Sequence, residues 1–369
     1  MDPDLRHCEQ AVPTAFDRMS LSEDWVAGGT ADTLMSLNPP LVYPMPAPRG
    51  GLSFAQQPDA PVITLSADGS VRSRTGSGPG EWLSYSTGGV GWYGDTLWVV
   101  QMQPPRVHAF SAGGALHGTQ QLDFVLPEPV TLLYRLREGA VVGTAVGRIQ
   151  GGARRVVLWA GPSNALDSIG VAQENFGYRI DLPGTAFAYG LRPVPDDLLM
   201  ASAPDGRSVV LVDRRSAATE GQAEFTIRRI AEDGGTLLER RVCYRPLPMS
   251  PEDQADTIAR QARMLTDGRG DLPLALAEER VRAALELPEF WPPVDRLVVG
   301  TAGEIWLRRE VRDGLVPWEI RNEEGELTGA LVLPADEDVL AVDGDVVWTQ
   351  RFDDWDVPLI VRNRLSSGS

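Results

Sequence analysis

The sequence predicts an all-β fold, a six-bladed β-propeller with a two-helix insertion between blades 4 and 5. Three observations carry this expectation. A turn, strand, loop, strand, turn unit recurs along the chain. Gly94-Asp95-Thr96-Leu97-Trp98-Val99 leads to Arg106-Val107-His108-Ala109-Phe110 and a Gly113-Gly114 turn, and the same order returns from Gly303-Glu304-Ile305-Trp306-Leu307 through Trp318-Glu319-Ile320-Arg321 to Glu324-Gly325. Short alternating runs bounded by glycine turns mark strands with one buried face. The first hairpin glycine of the unit has equivalents at Gly50, Gly94, Gly139, Gly206, Gly303 and Gly344, with steps of 44, 45 and 41 residues where nothing intervenes. That spacing matches a four-stranded propeller blade. Finally, residues 250–287 abandon alternation for helical spacing, with Ile258, Ala262 and Leu265 on one face and Leu276, Val281, Ala284 and Leu285 following.

Each element follows in order. Residues 1–15 read as an N-terminal tail and residues 16–365 as a single propeller domain; Met1 and the tail 366–369 read as appended residues. The longer steps between ruler glycines, 67 and 97 residues, have separate causes. The first is absorbed by an irregular stretch over residues 173–195, rich in Gly, Pro and aromatics. The second holds the helical insertion. Ser250-Pro251-Glu252-Asp253 opens it with a capping hydroxyl, a proline in the first turn and acids near the positive end of the helix dipole. Pro288 and the Pro292-Pro293 pair end it. The last blade supplies strands near 339–342, 346–351 and 359–364, one too few, so a segment around 19–26 is expected to pair there and cover the open edge. Trp82, Trp98, Trp306 and Trp348 fall at or near strand positions, where a large ring fills the wedge between neighbouring blades.

The turn Gly76-Ser77-Gly78-Pro79-Gly80-Glu81-Trp82 resembles the Gly-x-Gly-Pro-Gly-Glu-aromatic crossover between the first two blades of a group of bacterial six-bladed propellers related to the NHL-repeat propellers. Leu287-Pro288-Glu289-Phe290-Trp291-Pro292-Pro293, followed by Gly303-Glu304-Ile305-Trp306, looks like that group's entry into blade 5. The resemblance spans residues 25–365. It implies the propeller fold and an exported habitat, periplasmic, extracellular or lipid-anchored; Met1-Asp2-Pro3-Asp4 shows no signal-peptide pattern, so export rests on the resemblance alone. Members of the group are mostly without assigned activity, so the resemblance brings no catalytic residues. Residues 170–176 keep only a remnant of the signature turn.

Composition narrows the function further. A formal charge of −17 argues against nucleic acid and anionic membrane surfaces as partners. The chain has no lysine, which removes Schiff-base chemistry and a P-loop lysine. No run of 18 apolar residues occurs, so no transmembrane helix is expected. Cys8 and Cys243 read first as two separate thiols, with a bond from tail to body as the alternative.

The three histidines, His7, His108 and His117, are too few for an imidazole-rich centre, and His108 alternates on a strand like a surface residue. No nucleophile elbow, zincin helix, dinucleotide fingerprint or EF-hand loop is present. Asp353-Asp354-Trp355-Asp356 and Asp336-Glu337-Asp338 could hold Ca²⁺ but read more simply as solvated loops, so no cofactor is expected, with Ca²⁺ the one considered. A small ligand would sit where inner strands meet at one mouth of the central channel. The candidates there are Tyr43, Tyr85, Tyr134, Asp295 and Arg296. Two functions follow. The first is a non-catalytic, monomeric binding or scaffold propeller that docks a protein, peptide or glycan through loop faces or the insertion. The alternative is a lactonase-type hydrolase whose channel Ca²⁺ polarises an ester carbonyl.

Overall fold

The computed structural model describes residues 18–29, 41–56, 61–76, 87–101, 105–122, 130–149, 152–161, 166–174, 177–183, 187–194, 197–214, 223–267, 272–311 and 314–367. After β1 (Arg18–Gly28) the chain lays down four-stranded antiparallel sheets in sequence order. The first holds β2 (Leu41–Ala47), β3 (Gly51–Gln56), β4 (Val62–Leu65) and β5 (Val71–Thr75); the second β6 (Thr87–Tyr93), β7 (Thr96–Gln101), β8 (Arg106–Ser111) and β9 (Leu116–Gln121). The third holds β10 (Val130–Arg135), β11 (Val141–Ile149), β12 (Gly152–Ala160) and β13 (Leu166–Glu174). A hairpin, β14 (Gly177–Asp181) and β15 (Phe187–Leu191), precedes the fourth sheet, β16 (Leu199–Ser202), β17 (Ser208–Asp213), β18 (Ala223–Ala231) and β19 (Thr236–Tyr244).

Helices α1 (Pro251–Asp267) and α2 (Leu274–Ala284) come next, followed by β20 (Arg296–Val299), β21 (Ile305–Arg308), β22 (Leu315–Arg321), β23 (Leu327–Pro334), β24 (Asp338–Asp343), β25 (Val346–Phe352) and β26 (Pro358–Ser367). These last seven strands and β1 form one eight-stranded sheet in the order β20-β21-β22-β23-β1-β26-β25-β24.

The result is a mostly β, propeller-like arrangement. Strand β2 lies beside β6, β6 beside β10, β16 beside β20 and β20 beside β24, β24 returns to touch β2, and Tyr134 of β10 bonds to Met200 of β16, so the sheets follow one another around an axis. The buried core accordingly lies between sheets. Phe54, Ile63 and Leu65 pack with Leu340, Trp348 and Ile360, and Val210, Phe225 and Ile227 pack with Val299, Ile305 and Leu307. Trp306, Trp318 and Trp348 are fully buried, as large rings filling wedges between twisted sheets would be. Trp82 lies outside the described residues.

The six ruler glycines all have positive φ, from 59° at Gly344 to 104° at Gly139, a region that costs an L-residue about 1 kcal/mol or more. Two glycines at later hairpins, Gly69 and Gly234, receive a ring from the neighbouring sheet. A Cβ on Gly69 (φ +84°) would lie 3.0 Å from the Trp25 ring, and one on Gly234 (φ +86°) would lie 3.3 Å from Trp159. Each indole also donates to a carbonyl of the turn it covers, Trp25 to Ala67 at 2.7 Å and Trp159 to Glu232 at 3.2 Å. The glycine therefore makes room for a latch between successive sheets.

Strand β1 pairs antiparallel with β26 from Met19↔Ser367 to Gly28↔Leu359, and its start also runs parallel to β23 at Arg18↔Ala330 and Met19↔Leu331. Ion pairs line this seam: Asp24 with Arg362 and with Arg364 at 3.1 Å, and Glu23 with Arg351 at 3.1 Å. Strand β26 runs through Ser366 and Ser367, past the boundary at Leu365 expected from composition, because those serines still face Ser20 and Met19 across the ladder. Cys243 is disulfide-bonded, which corrects the reading of two separate thiols; Cys8, the other cysteine of the chain, lies outside the described residues.

The insertion sits between β19 and β20. Its start is capped reciprocally: Ser250 Oγ accepts from the Asp253 amide at 3.1 Å, and the Asp253 carboxylate accepts from the Ser250 amide and hydroxyl. Its ends are stapled by Met249 N–H to the Glu289 carbonyl and Trp291 N–H to the Leu247 carbonyl, both 2.9 Å. Residues 173–195, expected to be irregular, contain the β14–β15 hairpin. Ile180 and Leu182 from it close a satellite core with Ile258, Ala262, Ala277 and Val281 of the helices. No described helix is long and apolar enough to cross a membrane.

Candidate functional site

The inner strands converge on a cavity of about 160 Å³ to which β2, β6, β10, β16, β20 and β24 all contribute. Tyr43, Tyr134, Ser202 and Arg296 bring the polar atoms, and Met45, Val90 and Met200 are among the apolar walls. Local irregularities aim the two tyrosines. The β2–β3 ladder slips between Val42 and Met45, and Tyr43 within the slip has φ 54°. A bulky residue in the left-handed region costs on the order of 1–3 kcal/mol and persists where its surroundings hold it. The β10–β11 ladder slips between Leu132 and Tyr134. The Tyr134 hydroxyl donates to the Met200 carbonyl at 3.0 Å, tying the third sheet to the fourth. Burial raises the pKa of both phenols above the ordinary tyrosine value, so both keep their protons across the physiological range.

Arg296 opens β20 and is bound into a chain of charges. Its guanidinium meets Asp338 at 2.9 Å; the other Asp338 oxygen lies 2.9 Å from Arg308, which also pairs with Asp295. Two acids and two arginines alternate across the gap between β20 and β24. Asp295 has its pKa raised by desolvation, a shift that Asp338 reinforces and that Arg308 and Arg214 oppose.

On the far side of Asp295 a groove of about 740 Å³ opens between the insertion and the starts of β16 and β20. Leu198, Leu199, Leu247, Trp291 and Val311 make it largely apolar, with Asp253, Asp295 and Glu310 at its edges. Arg214 is buried in its wall and donates to the carbonyls of Asp197 and Val294, each at 2.6 Å, fixing the segment that leads into β20. A second cavity of about 390 Å³ shares Pro193, Arg214 and Trp291 with the groove and adds Tyr244 and Phe290.

Of the residues selected from the sequence, Tyr43, Tyr134 and Arg296 line one cavity, Asp295 faces the adjoining groove, and Tyr85 lies outside the described residues. Arg214 and Trp291 escaped the sequence reading. Arg214 follows an ordinary strand, and Trp291 sits in a stretch whose prolines read as the end of the insertion. His108 is held on the outer part of its sheet between Thr119 Oγ1 and Gln101 Oε1, both at 2.9 Å, with its pKa lowered first by burial and then by Arg106.

Neither Ca²⁺ candidate gathers ligands. Asp353 accepts the Trp355 and Val357 amides at 2.9 and 3.0 Å as a turn, and Asp338 belongs to the arginine network. Among the described residues no three His, Cys, Asp or Glu side chains converge as a metal site, and the channel lining carries no acidic side chain. Ca²⁺ takes six to eight oxygen ligands, so the described channel residues do not fit it.

No protein-family model matches the chain, and no curated protein matches it in sequence. Solved structures similar to it include a member of the DUF4221 family from Bacteroides vulgatus, at 8% identity and TM-score 0.43 over 96% of this chain and 100% of that one. A streptogramin B lyase matches at 12% identity and TM-score 0.42, over 96% of this chain and 100% of the lyase. The calcium-binding protein regucalcin from Agrobacterium tumefaciens matches at 11% identity and TM-score 0.38, over 90% and 92% of the two chains. At TM-scores below 0.5 these likenesses carry no argument, and the fold rests on the strand pairing of the chain itself.

Proposed function

We propose that the chain is a six-bladed propeller, kin to the NHL-like group, that works as a non-catalytic binding module. Supporting six blades, the eight-stranded sheet divides naturally where β23 meets β1, a parallel contact of two residue pairs, leaving β20–β23 as blade 5 and β24–β26 with β1 as blade 6. The six ruler glycines mark the same count. Export fits the disulfide at Cys243, since such bonds persist in oxidising compartments.

The observation that carries the binding reading is the apolar groove of about 740 Å³ at the channel mouth, a size within the range of ligand sites and walled in part by Leu247, Pro248, Trp291 and Pro292, which flank the insertion that most distinguishes this chain from a plain ring. It suits a protein segment, peptide or glycan presenting an apolar or ring face to Trp291. Among the described residues the channel lining carries no acidic side chain, which leaves the lactonase alternative without support there. Peptide and glycan arrays probed with the wild-type chain and with Val311→Arg test the reading. Val311 is 46% exposed on the groove wall, so the substitution fills the groove without disturbing the core. A selected ligand should lose at least about tenfold in affinity to V311R, equivalent to 1.4 kcal/mol. Equal binding by the two proteins would contradict the groove as the docking site.

A further inference from the structure

We infer that the channel cavity beside the groove binds a small carboxylate, either free or as the acidic end of a larger ligand. This deepens the binding reading and rests on it. The chain carries 51 acidic residues against 34 arginines, yet the cavity lining includes Arg296 and no acid. Its polar groups are donors or hydroxyls: the Arg296 guanidinium, the Tyr43 and Tyr134 phenols and the Ser202 hydroxyl. The Tyr134 proton is committed to Met200, and among the described residues no hydrogen bond meets the Tyr43 hydroxyl. Asp338 occupies one Arg296 nitrogen, whereas a guanidinium carries five N–H groups in a planar fork, and the Arg296 side chain remains 34% exposed.

A carboxylate accepts from both a phenol and a guanidinium, bonds stronger than those between neutral groups. A cation would meet the Arg296 guanidinium, and the acid beside it, Asp338, is already shared between Arg296 and Arg308. At about 160 Å³ the cavity lies below the usual range for drug-sized ligands, which restricts the occupant to a few heavy atoms. The positive φ of Tyr43 fits the same reading, since the ladder slip that strains the backbone is what turns the phenol to the cavity. The overall negative charge does not override local donors, because distant surface charges are screened beyond about 8 Å at physiological salt.

Propionate, propionamide and n-propylammonium share a shape and differ in charge, so they serve as probes, titrated by saturation-transfer NMR and calorimetry. Propionate should bind in the millimolar range and the other two at least about tenfold more weakly. Tyr43→Phe, which keeps the ring, should weaken propionate by about tenfold. Should Y43F not fold, the three probes on the wild-type chain still decide. Equal binding of propionamide or propylammonium, no propionate binding up to about 50 mM, or unchanged binding by Y43F overturns the inference. Failure here with array ligands still lost in V311R removes the carboxylate site and leaves the groove reading standing.

Discussion

Replacing Trp25 by alanine should loosen the closing strand while the rest of the ring stays folded. Trp25 lies on β1 and reaches the next sheet, where its ring covers Gly69 and its indole donates to the Ala67 carbonyl at 2.7 Å. The hydrogen bond contributes about 1 kcal/mol net. The ring is half-buried, and covering about 100 Å² of apolar surface at roughly 25 cal/mol per Å² adds about 2.5 kcal/mol. The partly exposed Glu23–Arg351 and Asp24–Arg364 pairs add little to this sum. A loss of about 3.5 kcal/mol corresponds to roughly three-hundredfold faster exchange of the β1 amides, since 1.4 kcal/mol is tenfold. Hydrogen exchange resolved to peptides reads this directly. Trp25→Phe, which keeps the packing and loses the bond, should give about a fivefold effect. Exchange of β1 in W25A within threefold of wild type would refute the latch and with it the role assigned to Gly69.

Other consequences follow from named groups. Asp338→Asn leaves Arg296 and Arg308 without a shared partner; these side chains are 15–34% exposed, so solvent screens part of the loss and a cost of about 1–2 kcal/mol in urea unfolding is expected. Glu304 has its pKa raised by burial, so the folded chain holds a proton that the unfolded chain has released, and stability falls as pH rises from the ordinary carboxylate value through the raised one. Glu304→Gln should flatten that decline, raising the unfolding midpoint at pH 7 and changing it little at pH 4; no pH-dependent difference would count against it. Thiol titration of the denatured, unreduced chain should find no free thiol, and two after reduction, whereas two thiols before reduction would refute the bond at Cys243.

Glycine made the repeat legible. A turn residue held at φ near +60° to +100° is cheap only for glycine, so Gly50, Gly94, Gly139, Gly206, Gly303 and Gly344 keep the register of the hairpins visible through sequence noise. Ser250 and Asp253 betrayed the helix start for an equally local reason, since both partners of the cap lie within one turn. The β14–β15 hairpin stayed hidden because its strands are five residues each and its core partners, Ile258, Ala262 and Val281, lie some eighty to a hundred residues away. Tyr43, Tyr134 and Arg296 could be selected because each falls on a first strand, and the first strands face the axis. What the sequence could not supply was their aim. The ladder slips at Tyr43 and Tyr134 sit within single hairpins but leave no mark in residue type, and the alternating chain Arg296, Asp338, Arg308, Asp295 depends on contacts that bring β24 to β20 and β21. The groove was invisible for the same reason, since Arg214, Trp291 and Val311 meet only after the insertion folds back on the mouth.

Site-specific photo-crosslinking tests the central claim most directly. Benzoylphenylalanine placed at Val311 on the groove wall, and at Leu237, 63% exposed on the outer strand β19, reports where an array-selected ligand sits. Crosslinks from position 311 and none from position 237 are predicted; crosslinks from 237 alone, or equally from both, would contradict the channel mouth as the recognition surface.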